Sequence, residues 1–120
     1  MNSNNVFSHQ VKAATEIAEY RRVKITSDGV EVAGAADVAI GHILQPVNGA
    51  TPGRDIASIA PINGGYSIQF AVAADAIAVG GTFEAAADGE IQAEDSGTVL
   101  GIALEAATAD QDIIRVAYYN

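Results

Sequence analysis

The sequence contains no cysteine and no tryptophan, and these absences exclude several kinds of structure. Without cysteine there are neither disulfides nor thiolate metal sites, which fits assembly in a reducing cytoplasm. No apolar run approaches the ~20 residues that span a bilayer, and the N-terminus lacks the charged-then-apolar order of a signal peptide. The sequence therefore predicts a protein that is made without export and has no membrane partner.

Large apolar side chains are also scarce, although 49% of the 120 residues are hydrophobic. Alanine accounts for 24 of them, whereas Leu, Ile, Val and Phe together contribute 30. Burying a methyl group gains much less than burying an isobutyl group, at roughly 25 cal/mol per Å² of apolar area. The core is therefore thin for one domain or two small, closely packed lobes, and we expect oligomerisation to add buried surface.

Basic residues are few and unevenly placed: six Lys and Arg oppose fifteen Asp and Glu, which gives a net charge of −9. Residues 1–24 carry four basic and two acidic side chains, whereas residues 25–120 carry two basic and thirteen acidic ones. The acidic body would repel phosphates, which argues against nucleic acid as a partner. The N-terminal basic cluster is either a solvated face or a contact surface.

The most informative feature is a repeat, in which the pattern of about 14–60 recurs at about 74–119. The matching positions include Asp28-Gly29 with Asp88-Gly89, Gly41 with Gly101, and Leu44 with Leu104. Glycines and turn residues count for more than matched alanines, because backbone geometry demands them. One copy of about sixty residues buries too little surface to be stable alone. The repeat therefore indicates a duplicated β unit.

Hydrophobic periodicity predicts an all-β fold. Tyr20–Thr26 alternates and is followed by Asp28-Gly29 and a second alternating run, which is typical of a tight hairpin. Nine or ten short strands, the last running from Asp112 to Tyr119, indicate a small β-sandwich or β-barrel built from the duplicated unit. We expect one β domain over residues 20–120 after an N-terminal arm over 1–19. Within the arm, residues 8–19 form either a short helix capped by Ser8 or a docked extended segment.

The sequence offers little for catalysis or for binding a metal or other cofactor. His42 aligns with Ile102 of the second copy, which favours a structural role, and His9 has no ligand-forming neighbour at a useful spacing. The serines lack a Gly-x-Ser-x-Gly elbow, and the acidic turns lack the spacing of an EF-hand, which leaves only an irregular calcium site. We therefore predict that the protein is not an enzyme and uses no cofactor or metal.

Three segments resemble the capsid cement (head decoration) proteins of tailed bacteriophages. They are Ala-Ala-Asp-Val-Ala-Ile-Gly at 35–41, Ala-Val-Gly-Gly-Thr-Phe-Glu-Ala-Ala-Ala-Asp-Gly-Glu-Ile at 78–91, and Val-Leu-Gly-Ile-Ala-Leu-Glu-Ala-Ala-Thr-Ala-Asp-Gln-Asp-Ile-Ile-Arg-Val at 99–116. The resemblance implies a small β protein, made in the bacterial cytoplasm, that binds the major capsid protein on the outside of the virion. It also implies a homotrimer that helps the expanded head to resist internal DNA pressure, without catalytic residues.

Charge asymmetry and the N-terminal arm suggest where such a protein would touch its partners. An apolar arm could add to a sheet edge, and arginines could pair with carboxylates. The candidates for capsid contact are Val6, Phe7, Val11, Arg21 and Arg22. The candidates for contact between subunits are Tyr118 and Tyr119, since terminal aromatic residues are common interface anchors.

A carbohydrate- or receptor-binding β module of a phage fibre or adhesin is the alternative function. Such a module needs exposed aromatic rings that stack on sugars, and the sequence has only four tyrosines and three phenylalanines. A cluster of Tyr20, Tyr66 and Tyr118 in one groove would favour this alternative, whereas trimers that add to empty heads would favour a cement protein.

Overall fold

The computed structural model describes residues 6–62 and 67–119, which form two β lobes. We call residues 6–62 lobe 1 and residues 67–119 lobe 2. The strands are β1 (Phe7–Gln10), β2 (Glu16–Ile17), β3 (Arg22–Thr26), β4 (Gly29–Val32), β5 (Gly41–Ile43), β6 (Val47–Asn48), β7 (Ile56–Pro61), β8 (Ser67–Val72), β9 (Thr82–Ala85), β10 (Ile91–Ala93), β11 (Gly101–Ala103) and β12 (Ile113–Tyr118). A single 3₁₀ turn over Ala87–Gly89 precedes β10.

The two lobes share one topology. The sheet of lobe 1 has the order β1-β7-β5-β3-β4, and that of lobe 2 has the order β8-β12-β11-β9-β10. Neighbouring strands are antiparallel in both sheets, and each strand of lobe 2 takes the place of one in lobe 1. The short ribbon of β2 and β6 in lobe 1 corresponds to a single bridge between Ile77 and Ala107 in lobe 2.

Each sheet curls until its first strand reaches its last. Val11, which follows β1, forms a parallel bridge with Val30 of β4, and Ala73, which follows β8, forms one with Ile91 of β10. Curling of this kind gives a small barrel and removes part of the free sheet edge. The predicted all-β fold is confirmed.

Two separate hydrophobic cores lie inside the lobes. The core of lobe 1 includes Val23, Ile43 and Ile59, and the core of lobe 2 includes Phe83 and Ile91; all five side chains are fully buried. Alanines complete both cores, as the composition suggests: Ala57 in lobe 1, and Ala71, Ala73, Ala103 and Ala107 in lobe 2. Because the two apolar clusters are distinct, other contacts join the lobes.

Local sequence explains the predicted hairpin and the repeated glycine. Thr26 pairs with Gly29 where β3 turns into β4, and Gly29 has a φ of 120°, which favours glycine. Gly41 and Gly101 occupy equivalent places on β5 and β11. A Cβ atom would overlap the carbonyl oxygen of Ala60 at the first, and that of Ala117 at the second. Both lobes therefore need glycine at this close approach of two strands.

The N-terminal residues adopt the extended alternative, and the short helix over 8–19 does not form. β1 pairs with β7 through Phe7 opposite Ile59 and Gln10 opposite Ile56. Val11 is 1% exposed, so the sheet and core of lobe 1 include residues assigned above to the arm. The described β fold thus begins before residue 20.

Candidate functional site

The lobe junction is built around a buried arginine. Arg22, at the start of β3, is 1% exposed, and its guanidinium donates to backbone carbonyls of both lobes. The acceptors in lobe 1 are Gly34 at 2.8 Å and Ala33 at 3.4 Å, and those in lobe 2 are Glu90 at 3.3 Å and Ala86 at 3.4 Å. Burial lowers the pKa of Arg22, while the nearby Tyr118 and Asp37 raise it. The side chain therefore fastens the lobes together.

Arg21 also faces lobe 2. Its Nη1 lies 2.7 Å from Oε2 of Glu90 and donates to the carbonyl of Asp88 at 3.0 Å, and its Nη2 donates to Gln111 at 2.7 Å. The side chain of Arg21 is 16% exposed, and that of Glu90 is 12% exposed. This ion pair is therefore largely removed from water and adds a charged contact to the junction.

A histidine and a tyrosine complete the buried junction. Nε2 of His42 lies 2.6 Å from the hydroxyl of Tyr118, and Nδ1 lies 2.9 Å from the carbonyl oxygen of Tyr20. Because that carbonyl only accepts, the proton is assigned to Nδ1, and Nε2 accepts from the tyrosine hydroxyl. Burial lowers the pKa of His42 to about 4 and raises that of Tyr118 well above its usual value. Both side chains are therefore neutral at pH 7.

The structure corrects three of the predicted contact residues. Val11 and Arg22 are each 1% exposed and Tyr118 is 3% exposed, so these side chains are internal and not available to a capsid or another subunit. Val11 belongs to the core of lobe 1, Arg22 meets carbonyl groups of lobe 2, and Tyr118 packs in the core of lobe 2 against Phe83 with ring centroids 5.3 Å apart.

The other four candidates have different surroundings. Val6 is 47% exposed and Tyr119 is 40% exposed, whereas Phe7 packs partly against the core of lobe 1. Arg21 is directed toward Glu90 of its own chain. Val6, Phe7 and Tyr119 therefore remain predictions, and Arg21 has a structural partner that the sequence did not reveal.

The structure shows a different pair of aromatic rings from the tyrosine cluster that would favour a sugar-binding module. Tyr118 is in the core, and Tyr66 lies outside the described residues. Tyr20 of lobe 1 instead contacts Phe70 of lobe 2, with ring centroids 5.2 Å apart, and Phe70 is 46% exposed. A small surface patch of two rings thus spans the junction.

A cleft of about 650 Å³ opens beside the junction between two equivalent loops, residues 35–39 of lobe 1 and 96–100 of lobe 2. We call it the loop cleft. Its lining also includes Arg22, Glu84 and Tyr119. The sequence shows these loops only as links of small residues, so sequence analysis did not identify the cleft.

Each wall of the loop cleft is fixed by a carboxylate. Oδ2 of Asp37 accepts from the backbone N–H of Gly34 at 2.8 Å and lies 2.9 Å from Nζ of Lys24. These contacts lower the pKa of Asp37, the backbone hydrogen bond first. The loop of residues 35–39 is thus tied to β3.

In the other wall, Oε1 of Glu84 accepts from the backbone N–H of Asp95 at 3.1 Å and of Gly97 at 2.7 Å. Its Oε2 accepts from the side chain of Gln92 at 2.6 Å. These hydrogen bonds lower the pKa of Glu84, with the bond from Asp95 first. The carboxylate therefore holds the start of the second loop.

Within residues 6–62 and 67–119, no group of three or more His, Asp or Glu side chains is placed to hold a metal ion. Over the same residues, the chain has no helix of the length and hydrophobicity that crossing a membrane requires.

No protein-family model and no curated protein matches the sequence. The fold is similar to a solved structure, the N base of the head fiber gp8.5 in bacteriophage phi29, with a TM-score of 0.71. The match covers 94% of this chain and 93% of that chain, at 18% sequence identity. The two proteins therefore share a fold over nearly their whole length.

Proposed function

We propose that this chain is a structural protein of a phage virion that decorates the outer surface of the head. The observation that carries the proposal is the shared fold, which extends over 94% of the chain and matches a protein described as the base of a phage head fiber. The sequence resemblance to capsid cement proteins supports the same conclusion. Catalysis is not part of the proposed role.

A decoration protein stabilises a shell through binding alone. If it binds neighbouring capsid subunits in the mature lattice but not separated subunits, its binding free energy adds to the stability of the lattice. Within this proposal, the partner is the major capsid protein and the contact is made by the N-terminal end of lobe 1. Val6 is 47% exposed there, beside the edge strand β1, to which a strand of another protein can add.

The proposal also includes a homotrimer, with Tyr119 as the candidate contact between copies. Light scattering over a concentration series measures the mass of the purified protein. A mass of three times 12.3 kDa is expected. A monomer at all concentrations would leave assembly on the head as the only route to a trimer and would remove the role of Tyr119 in a preformed one.

The direct test mixes purified protein with expanded phage heads that lack it. We expect co-sedimentation and a rise in the temperature at which the heads come apart. Val6→Asp should weaken binding by about tenfold, as the loss of one apolar anchor predicts, whereas Val79→Asp at another exposed valine (64% exposed) should not. Absence of binding would contradict the function, and equal binding by both variants would contradict the contact site.

The second candidate is a binding module of a head fibre that recognises a carbohydrate or a receptor. It is favoured by the description of the phi29 protein as part of a head fiber and by the exposed ring of Phe70 beside Tyr20. A glycan array distinguishes the two functions. Binding that disappears in Phe70→Ala would support the fibre module, and no binding to any glycan would leave the decoration protein as the better explanation.

A further inference from the structure

We infer that the loop cleft is a docking site for an extended segment of a partner protein that presents an apolar side chain flanked by lysine or arginine. The inference concerns a surface distinct from the N-terminal contact proposed above. It rests on three properties of the cleft: its fixed walls, its uncovered apolar residues and its charge.

In each lobe, the side chain that holds the cleft wall in place lies at the same position of the sheet. Lys24 on β3 and Glu84 on β9 are equivalent, because Val23 and Phe83 beside them pair with the equivalent glycines of β5 and β11. Lys24 ties its loop through Asp37, whereas Glu84 ties its loop through backbone N–H groups. A cleft whose loops are already ordered loses little conformational entropy when it binds a ligand.

Apolar side chains stand uncovered on both loops. Val38 is 89% exposed and Val99 is 37% exposed, and both line the cleft together with alanines of the first loop. Hydrophobic side chains that gather at a concave surface gain free energy when a partner covers them. This lining fits the aliphatic or aromatic side chain of an incoming segment.

The surrounding charge is negative. Lobe 2 carries nine Asp and Glu side chains and one basic residue, Arg115, and the exposed Glu94 and Asp95 come directly before the second loop. Arg22 in the lining and Lys24, which pairs with Asp37, are positive, so the carboxylates of Asp37, Glu84, Glu94 and Asp95 outnumber the cations in and beside the cleft by four to two. The field therefore favours a basic segment. A second copy of the chain, which the proposal above places against Tyr119 of this lining, fits the rest of the cleft less well, because it carries a net charge of −9 itself.

The test is an NMR titration of the ¹⁵N-labelled full chain with three capped hexapeptides. The first, acetyl-Gly-Lys-Val-Leu-Lys-Gly-amide, is basic and apolar; the second has Glu in place of both Lys; the third has Ser in place of Val and Leu. We expect saturable shifts of the amides of residues 35–39 and 96–100 with the first peptide. Binding of the other two should be weaker by about tenfold, and added salt should weaken binding of the first.

Two matched variants locate the site. Val38→Lys should weaken binding of the first peptide by about tenfold, because it places a like charge at the rim and removes an apolar contact. Val79→Lys makes the same change at an exposed valine of lobe 2 outside the cleft lining and should leave binding unchanged. Both positions are mostly in solvent, and an otherwise unaltered spectrum checks the fold.

The inference is overturned if the first peptide shifts no cleft amides, if the acidic peptide binds equally well, or if Val38→Lys has no effect. Concentration-dependent shifts of the cleft without peptide would also overturn it, since a second copy would then be the occupant. The titration uses no phage heads. Its failure would therefore leave the proposed decoration function standing, and failure to bind heads would leave the cleft result standing.

Discussion

His42 makes the stability of the fold depend on pH over a defined range. The ring joins the lobes as a neutral group, with Nδ1–H donating to Tyr20 and Nε2 accepting from Tyr118. A proton on Nε2 would turn that acceptor into a donor facing the tyrosine hydroxyl. It would also place a second positive charge near Arg22 in a buried site. The folded state therefore resists protonation.

The direction and size of this pH dependence follow from the pKa of His42 in the unfolded chain and in the folded chain. In the unfolded chain His42 has its ordinary pKa of 6.5, whereas burial lowers the pKa to about 4 in the folded chain. The contribution of the neutral ring is complete above pH 6.5 and is lost as the pH falls toward 4, because the unfolded chain binds the proton first. This gap corresponds to about 3 kcal/mol of unfolding free energy, a large share of the 5–15 kcal/mol typical of a domain.

Urea unfolding followed by circular dichroism between pH 7.5 and 4 measures this effect. The reference is the double variant His42→Ile, Tyr118→Phe. It introduces the residue type found at the equivalent Ile102 and leaves no unpaired hydroxyl. Carboxylates whose pKa is lowered by hydrogen bonds, such as Glu84 and Asp112, lose their contribution at lower pH in both proteins and cancel in the difference. The natural chain should lose about 3 kcal/mol relative to the variant. Parallel profiles would refute the reasoning.

Three further predictions follow from the junction, the repeated glycine and the cleft. Arg22→Met should lower the unfolding free energy by about 3 kcal/mol, because it leaves four carbonyl acceptors without their donor. The control Arg54→Met, on the exposed surface, should lower it by less than about 0.5 kcal/mol. Equal losses in urea unfolding would contradict the role of Arg22 in joining the lobes. Gly101→Ala should lower the unfolding free energy by about 3 kcal/mol, since its Cβ would meet the carbonyl oxygen of Ala117. Gly53→Ala, with φ at 88° and open space around it, should lower it by about 1 kcal/mol. A thermal melt that ranks the two variants in the opposite order would show that the close approach at Gly101 is unimportant. Glu84→Ala should speed hydrogen exchange at the amides of Asp95 and Gly97 by about tenfold or more, with Glu94→Ala as the control, and unchanged exchange would mean that the carboxylate does not hold the loop.

Local chemistry made much of the fold predictable. The Asp28-Gly29 turn and the alternating residues around it specify the hairpin of β3 and β4, because turn geometry and period are properties of neighbouring residues. The repeat of Gly41 and Gly101 is visible in the sequence, and the structure supplies the cause: in each lobe a carbonyl oxygen of the neighbouring strand lies too close for any side chain. Short-range patterns thus led to the all-β fold.

Whether a candidate site residue is exposed or buried depends on distant parts of the chain. Arg22 resembles a surface residue beside Arg21, yet it is buried by carbonyls 64 and 68 positions away. Tyr118 resembles a terminal interface anchor, yet its hydroxyl meets a histidine 76 positions away. A single sequence does not show which lobe surfaces face each other, so it predicts contacts with other proteins for residues that in fact join the lobes.

The two copies of the β unit differ at the residues that form the polar junction, and this difference limits which lobes can join through it. At the positions of Arg22 and His42, which pair across β3 and β5, lobe 2 carries Thr82 and Ile102, which pair across β9 and β11. Thr82 has a single hydroxyl proton and cannot donate to four carbonyls as Arg22 does, and Ile102 cannot accept from a tyrosine hydroxyl as His42 does. Lobe 2 therefore cannot make the same contact with a further lobe, although its topology is the same. An unsymmetrical contact that could repeat would join chain after chain into a filament. The divergence at these two positions restricts the junction to one pair of lobes within each chain.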